Sequence, residues 1–440
     1  MRVAVATLGC KVNQFESASF MSSFEQAGCF LVSFSAKADL YVINTCAVTA
    51  KAAQQSRRLI RRAQQTNPHA RVVVTGCYVQ TDPGTILDIL ETPACLIGNE
   101  YKHLLVDTAL QHKTPDLVQL MGTIGQATKI CDLPVETFGD RTRAYLRIQD
   151  GCDNFCTYCT VPYTRGPGRS LGLAKIMHQT HLFSEQGYKE IVITGINVGT
   201  YGRDLNEGET IYTILHRLCD DFPLLRIRLS SIDPTEVNDT LIDLVARHQN
   251  FMPHLHIPLQ SGDDTILKRM NRRYDTTFFR QVIQKIHTAL PQAAIGCDIL
   301  GGFPGETEQH AKNTYHFLAD LPVSYLHVFP YSKRHGTLAA ALPEQVAGPV
   351  KTARVTRLRK LDLQLRTAFY QRLLGSHTNV LVERHNPKTG LLQGFSENYI
   401  PLHFPGHKNL VHQIVPVHFT RLENGKPRGK VAYDRLEENQ

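Results

Sequence analysis

Apolar residues in the first third of the chain form short β-branched runs that are separated by helical patterns. The runs Val3 to Leu8, Leu40 to Ile43 and Arg71 to Val74 predict strands. Between the last two, Ala50 to Gln65 has the apolar period of a helix. Strands that alternate with helices are typical of parallel βαβ units. We therefore expect an α/β domain with an open parallel sheet over residues 1–135.

The middle of the chain repeats the strand and helix pattern six times. The six predicted strands are Ala144 to Ile148, Glu190 to Thr194, Leu225 to Leu229, His254 to Ile257, Ala294 to Leu300 and Ser324 to Phe329. Six units are fewer than the eight that close a (β/α)8 barrel. We expect a partial (β/α)6 barrel of the TIM type over residues 136–372, with its site in the loops that follow the strands.

The last segment predicts a long helix and then a small all-β unit over residues 373–440. An apolar period near 3.6 runs from Ala353 to Leu374 and ends at Gly375. The predicted strands after it are Asn379 to Val382, Tyr399 to Phe404 and Gln413 to Phe419. Because proline cannot donate to a strand ladder, Pro401 and Pro416 confine the last two strands to sheet edges. The turn-rich pattern predicts a small β-barrel.

Composition agrees with a chain of several folded domains. With 440 residues, of which 42% are hydrophobic and 20% charged, the chain is long enough for two or three cores. No uninterrupted apolar run has membrane-spanning length, and the first residues lack the apolar core of a secretion signal. We expect a cytoplasmic protein that has no membrane partner.

Basic residues are concentrated at the end of the chain. From Lys351 onward there are 15 Lys and Arg against 7 Asp and Glu, an excess equal to the net charge of +8 of the whole chain. A basic terminal module indicates a polyanion such as nucleic acid as the partner. A solvated charged face is the alternative that charge alone leaves open.

Three cysteines, Cys152, Cys156 and Cys159, form a C-x3-C-x2-C motif after the first predicted strand of the barrel. Three thiolates can hold a cubane iron-sulfur cluster and leave one iron open for a ligand. A structural zinc site would normally need a fourth ligand, and neither Cys nor His follows at finger spacing. Buried apolar cysteines or a partial zinc site are the alternatives.

Three more cysteines share one position in the N-terminal domain, because Cys10, Cys46 and Cys77 each follow a predicted strand. The carboxyl ends of parallel strands lie on one edge of a sheet, so these thiols are expected to converge on a second cluster site. Three unrelated strand-end cysteines are the alternative. A dinucleotide site is disfavoured because G-x-G-x-x-G is missing, and cobalamin because D-x-H-x-x-G is missing.

The other single cysteines are expected to pack as small hydrophobic residues. They are Cys29, Cys95, Cys131, Cys219 and Cys297. The chain has 11 cysteines, and an odd number in a reducing compartment favours metal ligation over a disulfide framework.

Loops at four predicted strand ends of the barrel are rich in small and polar residues. They are Thr194 to Asn197, Ser230 to Asp233, Pro258 to Gly262 and Gly301 to Glu306. Glycines there let the backbone approach a ligand closely, and Asn, Ser, Gln and Asp can hold a nucleoside. Any one of these loops is equally a plain turn. Their shared position at successive strand ends indicates a binding site.

The cysteine loop at 152–159 resembles that of the radical S-adenosylmethionine (radical SAM) superfamily. The order of the three segments is similar to that of its methylthiotransferase family, which has an N-terminal cluster domain, a partial barrel and a C-terminal TRAM domain. Residues 7–17 and 44–49 resemble the branch that acts on N6-threonylcarbamoyladenosine beside the tRNA anticodon. The alternatives are the branches for isopentenyladenosine in tRNA and for a ribosomal protein. A non-catalytic two-cluster protein for electron transfer or RNA binding is a third possibility.

This resemblance implies two 4Fe-4S clusters with different roles. The cluster that cleaves S-adenosylmethionine would be bound by Cys152, Cys156 and Cys159. The auxiliary cluster, whose open iron carries the sulfur or methylthio group, would be bound by Cys10, Cys46 and Cys77. The residues expected to contact S-adenosylmethionine are Tyr158, Asn197, Ser231, Gln260 and Gly301. Asp233 stands where relatives often have Glu, which leaves its part in ribose binding open.

The resemblance also implies the chemistry and the partners. A 5'-deoxyadenosyl radical would remove hydrogen from C2 of the adenine, and a second S-adenosylmethionine would supply the methyl group. An aromatic C–H has no acidic proton, so a radical cofactor does the work and no acid-base catalytic residue is expected. The partners would be the tRNA anticodon stem-loop and an electron donor such as flavodoxin or ferredoxin. Arg165 and Arg169 would contact cofactor or tRNA, or be flexible surface side chains.

Overall fold

The structure, a computed structural model, describes residues 1–91, 93–111, 116–139, 141–205 and 208–432. Its first unit is a parallel sheet of six strands in the order β2-β1-β3-β4-β5-β6. These strands are β1 (Arg2–Thr7), β2 (Phe30–Val32), β3 (Leu40–Thr45), β4 (Arg71–Gly76), β5 (Ala94–Ile97) and β6 (Val118–Leu120). The predicted open parallel sheet is confirmed. The sequence pattern missed β2, β5 and β6, which have three or four residues each.

Helices cover both faces of this sheet. They are α1 (Lys11–Gln26), α2 (Ala50–Thr66), α3 (Cys77–Thr81), α4 (Pro83–Leu87) and α5 (Leu105–Gln111). Successive side chains of a strand point to opposite faces. Val42 of β3 accordingly joins the core that contains Phe15 of α1, whereas Tyr41 and Ile43 join the core that contains Ile60 of α2.

The second unit is the expected partial barrel. Its parallel strands are β7 (Arg143–Arg147), β10 (Glu190–Thr194), β11 (Arg226–Leu229), β12 (His254–His256), β13 (Ala294–Gly301) and β14 (Tyr325–Pro330), with a short β8 (Gln149–Asp150) and β9 (Arg169–Ser170) pair beside them. They form two three-stranded ladders that single parallel bridges join between β11 and β12. Among the described residues β7 and β14 do not pair, so the barrel stays open on that side.

Nine helices of the described chain accompany the barrel strands. They are α6 (Val161–Arg165), α7 (Leu173–Glu185), α8 (Ile211–Asp221), α9 (Asp239–Arg247), α10 (Asp264–Arg269), α11 (Thr276–Ala289), α12 (Glu308–Ala319), α13 (Leu338–Ala341) and α14 (Gly348–Arg372). The long helix predicted over Ala353 to Leu374 is α14. It starts five residues earlier than predicted, because Pro349 fits the first helical turn, and Gly375 follows it with a φ of +83°.

The first unit and the barrel share one hydrophobic core. Phe138, just before β7, lies between Phe15 of α1 and Phe183 of α7, with ring centroids 6.3 and 5.7 Å away. Its ring also meets Tyr145 of β7 edge-on at 5.6 Å. Because aromatic side chains bury large apolar areas, this cluster fixes α1 against the barrel.

The third unit is a closed five-stranded barrel in the order β15-β16-β17-β19-β18. Its strands are β15 (His377–Asn386), β16 (Leu391–Ser396), β17 (Pro401–Pro405), β18 (Ile414–Glu423) and β19 (Lys426–Val431). The predicted small all-β barrel is confirmed. The end of the predicted segment, residues 433–440, lies outside the described residues.

The expectation that Pro401 and Pro416 mark edge strands is wrong. Barrel closure gives β17 and β18 a neighbour on each side. Pro401 is the first residue of its strand, where the lack of an N–H disrupts little. Pro416 lies opposite Asn379 of β15, and its carbonyl accepts a hydrogen bond from Ala432 N–H at 2.9 Å. The carbonyl oxygen of Asn379, which proline cannot serve as a donor, accepts from Arg226 Nη2 at 3.0 Å.

None of the helices in the described ranges is long and apolar enough to cross a membrane.

We predict that Phe138→Ala lowers the free energy of unfolding of the full chain by about 3–5 kcal/mol, the usual cost of emptying a buried aromatic site. Phe138 is 5% exposed. Urea unfolding measures the change. Phe30→Ala is the control, because Phe30 is 71% exposed and its loss should cost about 1 kcal/mol or less. Equal effects of both substitutions would contradict the shared core.

Candidate active site

Three cysteines of the first unit stand at the ends of adjacent strands: Cys10 after β1, Cys46 after β3 and Cys77 after β4. The register pairs Thr7 with Asn44 and Thr45 with Gly76, so these strands end side by side. A Cβ atom built on Gly9 would lie 3.0 Å from Cys46 Sγ, which leaves room only for glycine beside this thiol. The sequence expectation that the three cysteines converge on one edge agrees with this arrangement.

The electrostatics of the N-terminal trio reflect this proximity. Burial, and then the neighbouring Cys77 thiol, raises the pKa of Cys46 to about 12. Cys46 and Cys77 are buried whereas Cys10 is exposed, so the trio is reached from the side of Cys10. Without a metal the Cys46 thiol stays protonated at neutral pH, and a metal that binds it must displace the proton.

The second trio lies on the loop that connects β8 to α6, at the carboxyl end of β7. Each of its sulfur atoms has a nitrogen donor nearby. Asn197 Nδ2 lies 4.0 Å from Cys152 Sγ, Arg272 Nη1 donates to Cys156 Sγ at 3.2 Å, and Val161 N–H donates to Cys159 Sγ at 3.4 Å. N–H groups aimed at sulfur suit thiolate ligands of a metal cluster.

The predicted S-adenosylmethionine contacts occupy the same edge of the barrel as the second trio. Asn197, Ser231 and Gln260 follow β10, β11 and β12, and Gly301 ends β13. Gln260 has a φ of +72° and is held on both sides by backbone hydrogen bonds to Asp298 and Leu300. Such a φ is unusual for a residue other than glycine and is common at functional sites.

Tyr158 lies between the second and third cysteines of that trio. It packs against a small apolar cluster formed by Ile266, Met270, Phe303, Tyr331 and Ala339. Burial, followed by the Cys156 thiol, raises the pKa of its phenol well above the ordinary range. The phenol is therefore neutral, and its ring is packed in place beside the cysteines.

Arg272 was missed by sequence reasoning. It donates to Cys156 and forms an ion pair with Asp233, with 2.7 Å between Nη2 and Oδ2. Its guanidinium carbon lies 4.8 Å from the centre of the Tyr274 ring. No sequence motif marks Arg272. It lies on the turn between α10 and α11, and only the fold brings this turn next to Cys156. Asp233 therefore positions this arginine.

The expectation that Arg165 and Arg169 are flexible surface side chains is wrong. Both are buried, at 1% and 3% exposure, because each has carboxylate and carbonyl partners inside the protein. Arg165 Nη1 lies 2.9 Å from Asp150 and 3.0 Å from Glu16. Arg169 donates to the carbonyl oxygen of Arg165.

Glu16 of α1 is the centre of a buried ionic network behind the first trio. It pairs with Arg165 of α6 and with Lys102, and it accepts a hydrogen bond from Asn44 at 3.1 Å. Asn13, one turn earlier, accepts a hydrogen bond from Arg165 at 2.6 Å. It donates to the carbonyl oxygens of Leu8 and Thr45, which precede Cys10 and Cys46. The network thus ties the first trio to the barrel.

A cavity of about 400 Å³ lies inside the barrel opening. Lys11, which follows Cys10, lines one part of it, and Ser231 of the predicted cofactor edge lines another. Tyr145 and Tyr325 contribute rings from the barrel strands, and Tyr399 contributes one from the third unit. This size is within the range of small-molecule sites.

The remaining cysteines behave mostly as expected. Cys29, Cys95, Cys219 and Cys297 are buried. Cys131 is the exception, because it is only partly buried and its thiol donates to the carbonyl oxygens of Asn99 and Glu100 at 3.3 and 3.1 Å.

Two family models match the chain. Residues 2–98 match the uncharacterized protein family UPF0004, and residues 146–318 match the radical SAM superfamily. Each matched segment contains one cysteine trio.

Similarity to known proteins extends over the whole chain. The threonylcarbamoyladenosine tRNA methylthiotransferase MtaB of Bacillus subtilis (strain 168) is 37% identical over 100% of this chain and 97% of that protein. The chain belongs to the radical SAM methylthiotransferase family. It is therefore an enzyme of a superfamily that uses S-adenosylmethionine and a 4Fe-4S cluster.

Two further relatives bear on this methylthiotransferase. MtaB of Aquifex aeolicus (strain VF5) is 37% identical over 93% of this chain and 98% of that protein. The tRNA-2-methylthio-N(6)-dimethylallyladenosine synthase of Bartonella henselae is 32% identical over 98% of this chain and 96% of that protein.

Solved structures share the fold of this methylthiotransferase. The radical S-adenosylmethionine methyltransferase TsrM from Kitasatospora setae, with cobalamin and a [4Fe-4S] cluster bound, has a TM-score of 0.57. The match covers 77% of each chain at 12% identity, so it concerns the fold alone.

We predict that Glu16→Gln lowers the free energy of unfolding by about 3 kcal/mol at pH 7, because it leaves Lys102 without its buried counter-charge and leaves Arg165 with Asp150 alone. Burial by itself would raise the pKa of Glu16, but these two cations hold it well below its ordinary 4.5. The stabilisation is therefore present above pH 4.5 and is lost as the pH falls through the lower folded pKa.

Urea unfolding between pH 3 and pH 7 measures this effect in the methylthiotransferase. Acidification should weaken the wild type more than Glu16→Gln, since the variant has already lost the charge. Glu25→Gln on the same helix is the control, because Glu25 is exposed and unpaired among the described residues. A variant that keeps the wild-type stability at pH 7 would show that the network does not hold the units together.

Proposed function

We propose that this enzyme inserts a methylthio group at C2 of N6-threonylcarbamoyladenosine at position 37 of tRNA, next to the anticodon. The observation that carries the proposal is the end-to-end similarity to the MtaB relatives, in a chain whose two cysteine trios both stand at the ends of parallel strands. Isopentenyladenosine has less support, since the two MtaB relatives named above are 37% identical to the chain and the dimethylallyladenosine synthase is 32% identical. A ribosomal protein and a passive two-cluster carrier have less support because all three of these relatives are named as tRNA-modifying enzymes.

We assign a 4Fe-4S cluster to Cys152, Cys156 and Cys159. The donor set fits, because three thiols on one loop leave a fourth iron open and nitrogen donors from three separate elements face the sulfur atoms. S-adenosylmethionine bound there would supply the radical chemistry needed to replace the hydrogen at C2. Tyr158, Asn197, Ser231, Gln260 and Gly301 orient this cofactor at the barrel edge.

We assign the auxiliary 4Fe-4S cluster, the source of sulfur, to Cys10, Cys46 and Cys77. Their thiols influence one another electrostatically, and three thiols can hold such a cluster with one iron open. Arg165 supports this site, because its buried positive charge favours thiolate at Cys10. Asn13 holds the strand ends in place through their carbonyl oxygens.

The cavity offers a place for the target base between these two sites. It reaches from Lys11, beside the first trio, to Ser231 at the cofactor edge. Tyrosine rings along it can stack on a base that has left the anticodon loop. Enclosure by three units excludes water and aims the reacting atoms, which is the main task of the protein in radical chemistry.

The third unit presents a basic groove suited to the tRNA backbone. Arg384, Lys426 and Arg428 line a second cavity of about 530 Å³ on the barrel of residues 373–432. Phosphates bind such clusters through charge. The proposed domains are thus 1–135 for the auxiliary cluster, 136–372 for the radical SAM core and 373–440 for RNA. The partner that reduces the clusters is a flavodoxin or ferredoxin of the cytoplasm.

The test is mass analysis of tRNA nucleosides from cells with and without the gene. Deletion should abolish 2-methylthio-N6-threonylcarbamoyladenosine and leave N6-threonylcarbamoyladenosine to accumulate. Complementation with the wild-type chain should restore the product. Complementation with Cys156→Ala should not, because that variant lacks one thiol of the radical site.

Cys219→Ala is the matched control, since Cys219 is buried outside both trios and its substitution should preserve the product. Unchanged product in the deletion strain would remove the threonylcarbamoyladenosine assignment. Loss of the isopentenyladenosine product would assign the sister activity instead.

A further inference from the structure

The cavity inside the barrel opening has a strongly cationic lining. Lys11, Arg143 and Arg228 border it together with three histidines, and Asp298 is the one acidic residue among its described lining residues. Charge of one sign concentrated in an enclosed site attracts ligands of the opposite sign.

The two arginines already have carboxylate partners. Arg143 lies 2.5 Å from Glu383 and 3.6 Å from Glu190, and Arg228 lies 2.7 Å from Glu190. Arg228 also donates to backbone carbonyls of the third unit. Both arginine charges are therefore already paired, and contacts of both side chains join the barrel to the third unit.

Asp298 is compensated as well. Its Oδ1 lies 2.8 Å from His256 Nε2 and 3.3 Å from His327 Nδ1. These three ligand atoms are close enough to hold a metal ion. A cation is nevertheless disfavoured there, because the same carboxylate oxygen already serves both histidines and three further cations border the cavity.

Lys11 is the charge that stays without a partner. Among the described residues its ammonium group has neither a hydrogen bond nor an ion pair. Burial, followed by the charges of Arg143 and Arg228, lowers the pKa of this group, and Asp298 opposes that shift. His254 adds a second open group, since its Nδ1 atom is buried and has no hydrogen-bond partner in the described chain. Among the described residues that line it, the cavity thus presents the Lys11 ammonium group and the His254 Nδ1 atom as groups without a partner.

Resting on the proposed function, we infer that Lys11 binds the carboxylate of the threonylcarbamoyl group and selects an acidic modified adenosine over an apolar one. C2 and N6 lie on the same edge of adenine. If C2 of the bound base faces the two trios, the N6 substituent therefore lies on that side of the cavity as well. Lys11 lines the cavity there, next to Cys10 of the first trio. A dimethylallyl substituent has no charge to pair with Lys11 and leaves the ammonium group desolvated.

The test measures binding of anticodon stem-loops to the full-length enzyme under anaerobic conditions. Three stem-loops differ only at the target base: N6-threonylcarbamoyladenosine, its carboxylate methyl ester, and unmodified adenosine. Wild type should bind the carboxylate about tenfold tighter than the ester. Lys11→Gln should remove that preference and leave the affinities for the ester and for adenosine unchanged.

Lys11→Arg should restore the carboxylate preference, because it keeps the charge, and this rescue excludes misfolding as the cause. Lys37→Gln is the matched control, since Lys37 is exposed on the loop before β3, at the opposite edge of the sheet. The inference would be overturned if Lys11→Gln still bound the carboxylate stem-loop more tightly than the ester. It would also be overturned if the substitution lowered the affinity for all three stem-loops equally.

Binding separates this inference from the proposed function. If wild type prefers the carboxylate but makes no methylthio product, the proposed function fails and the role of Lys11 stands. If the product forms and Lys11→Gln keeps the preference, the proposed function stands and the role of Lys11 fails.

Discussion

A guanidinium group that is shielded from water joins the first unit to the barrel. Arg165 reaches from α6 to Asp150 within the barrel and to Glu16 and Asn13 on α1. Removing one partner from such a buried pair is costly, because the other charge is left uncompensated in a medium of low dielectric. The relative placement of the two cysteine trios depends on this contact, since α1 starts directly after Cys10 and α6 starts two residues after Cys159.

The third unit is fixed by a similar but more open contact. Tyr399 lies over both Arg143 and Arg228, with 5.1 and 4.8 Å between guanidinium carbon and ring centre. The pair Arg143 to Glu383 adds a charge contact across the same boundary. As a result, a module that presents basic side chains to solvent also closes one wall of the cavity.

Much of the architecture could be predicted from the sequence because strong periodic patterns mark buried strands. Glu190 to Thr194 was predicted to the residue, since all five positions are buried. The cysteine positions followed from the rule that parallel strands end on one edge. Arg272 and the burial of Arg165 could not be predicted, because both depend on contacts between residues far apart in sequence. Arg272 meets Cys156 across 116 positions, and Arg165 meets Glu16 across 149.

We propose that each trio of thiols binds its own four-iron cluster. Iron and sulfide analysis of anaerobically reconstituted protein tests it most directly, with wild type compared against Cys46→Ala and Cys156→Ala. We expect about eight irons per chain in the wild type and about four in each variant, because each substitution removes one site and spares the other. About four irons per chain in the wild type would contradict the presence of two sites. So would a loss of four irons in one variant with no loss in the other.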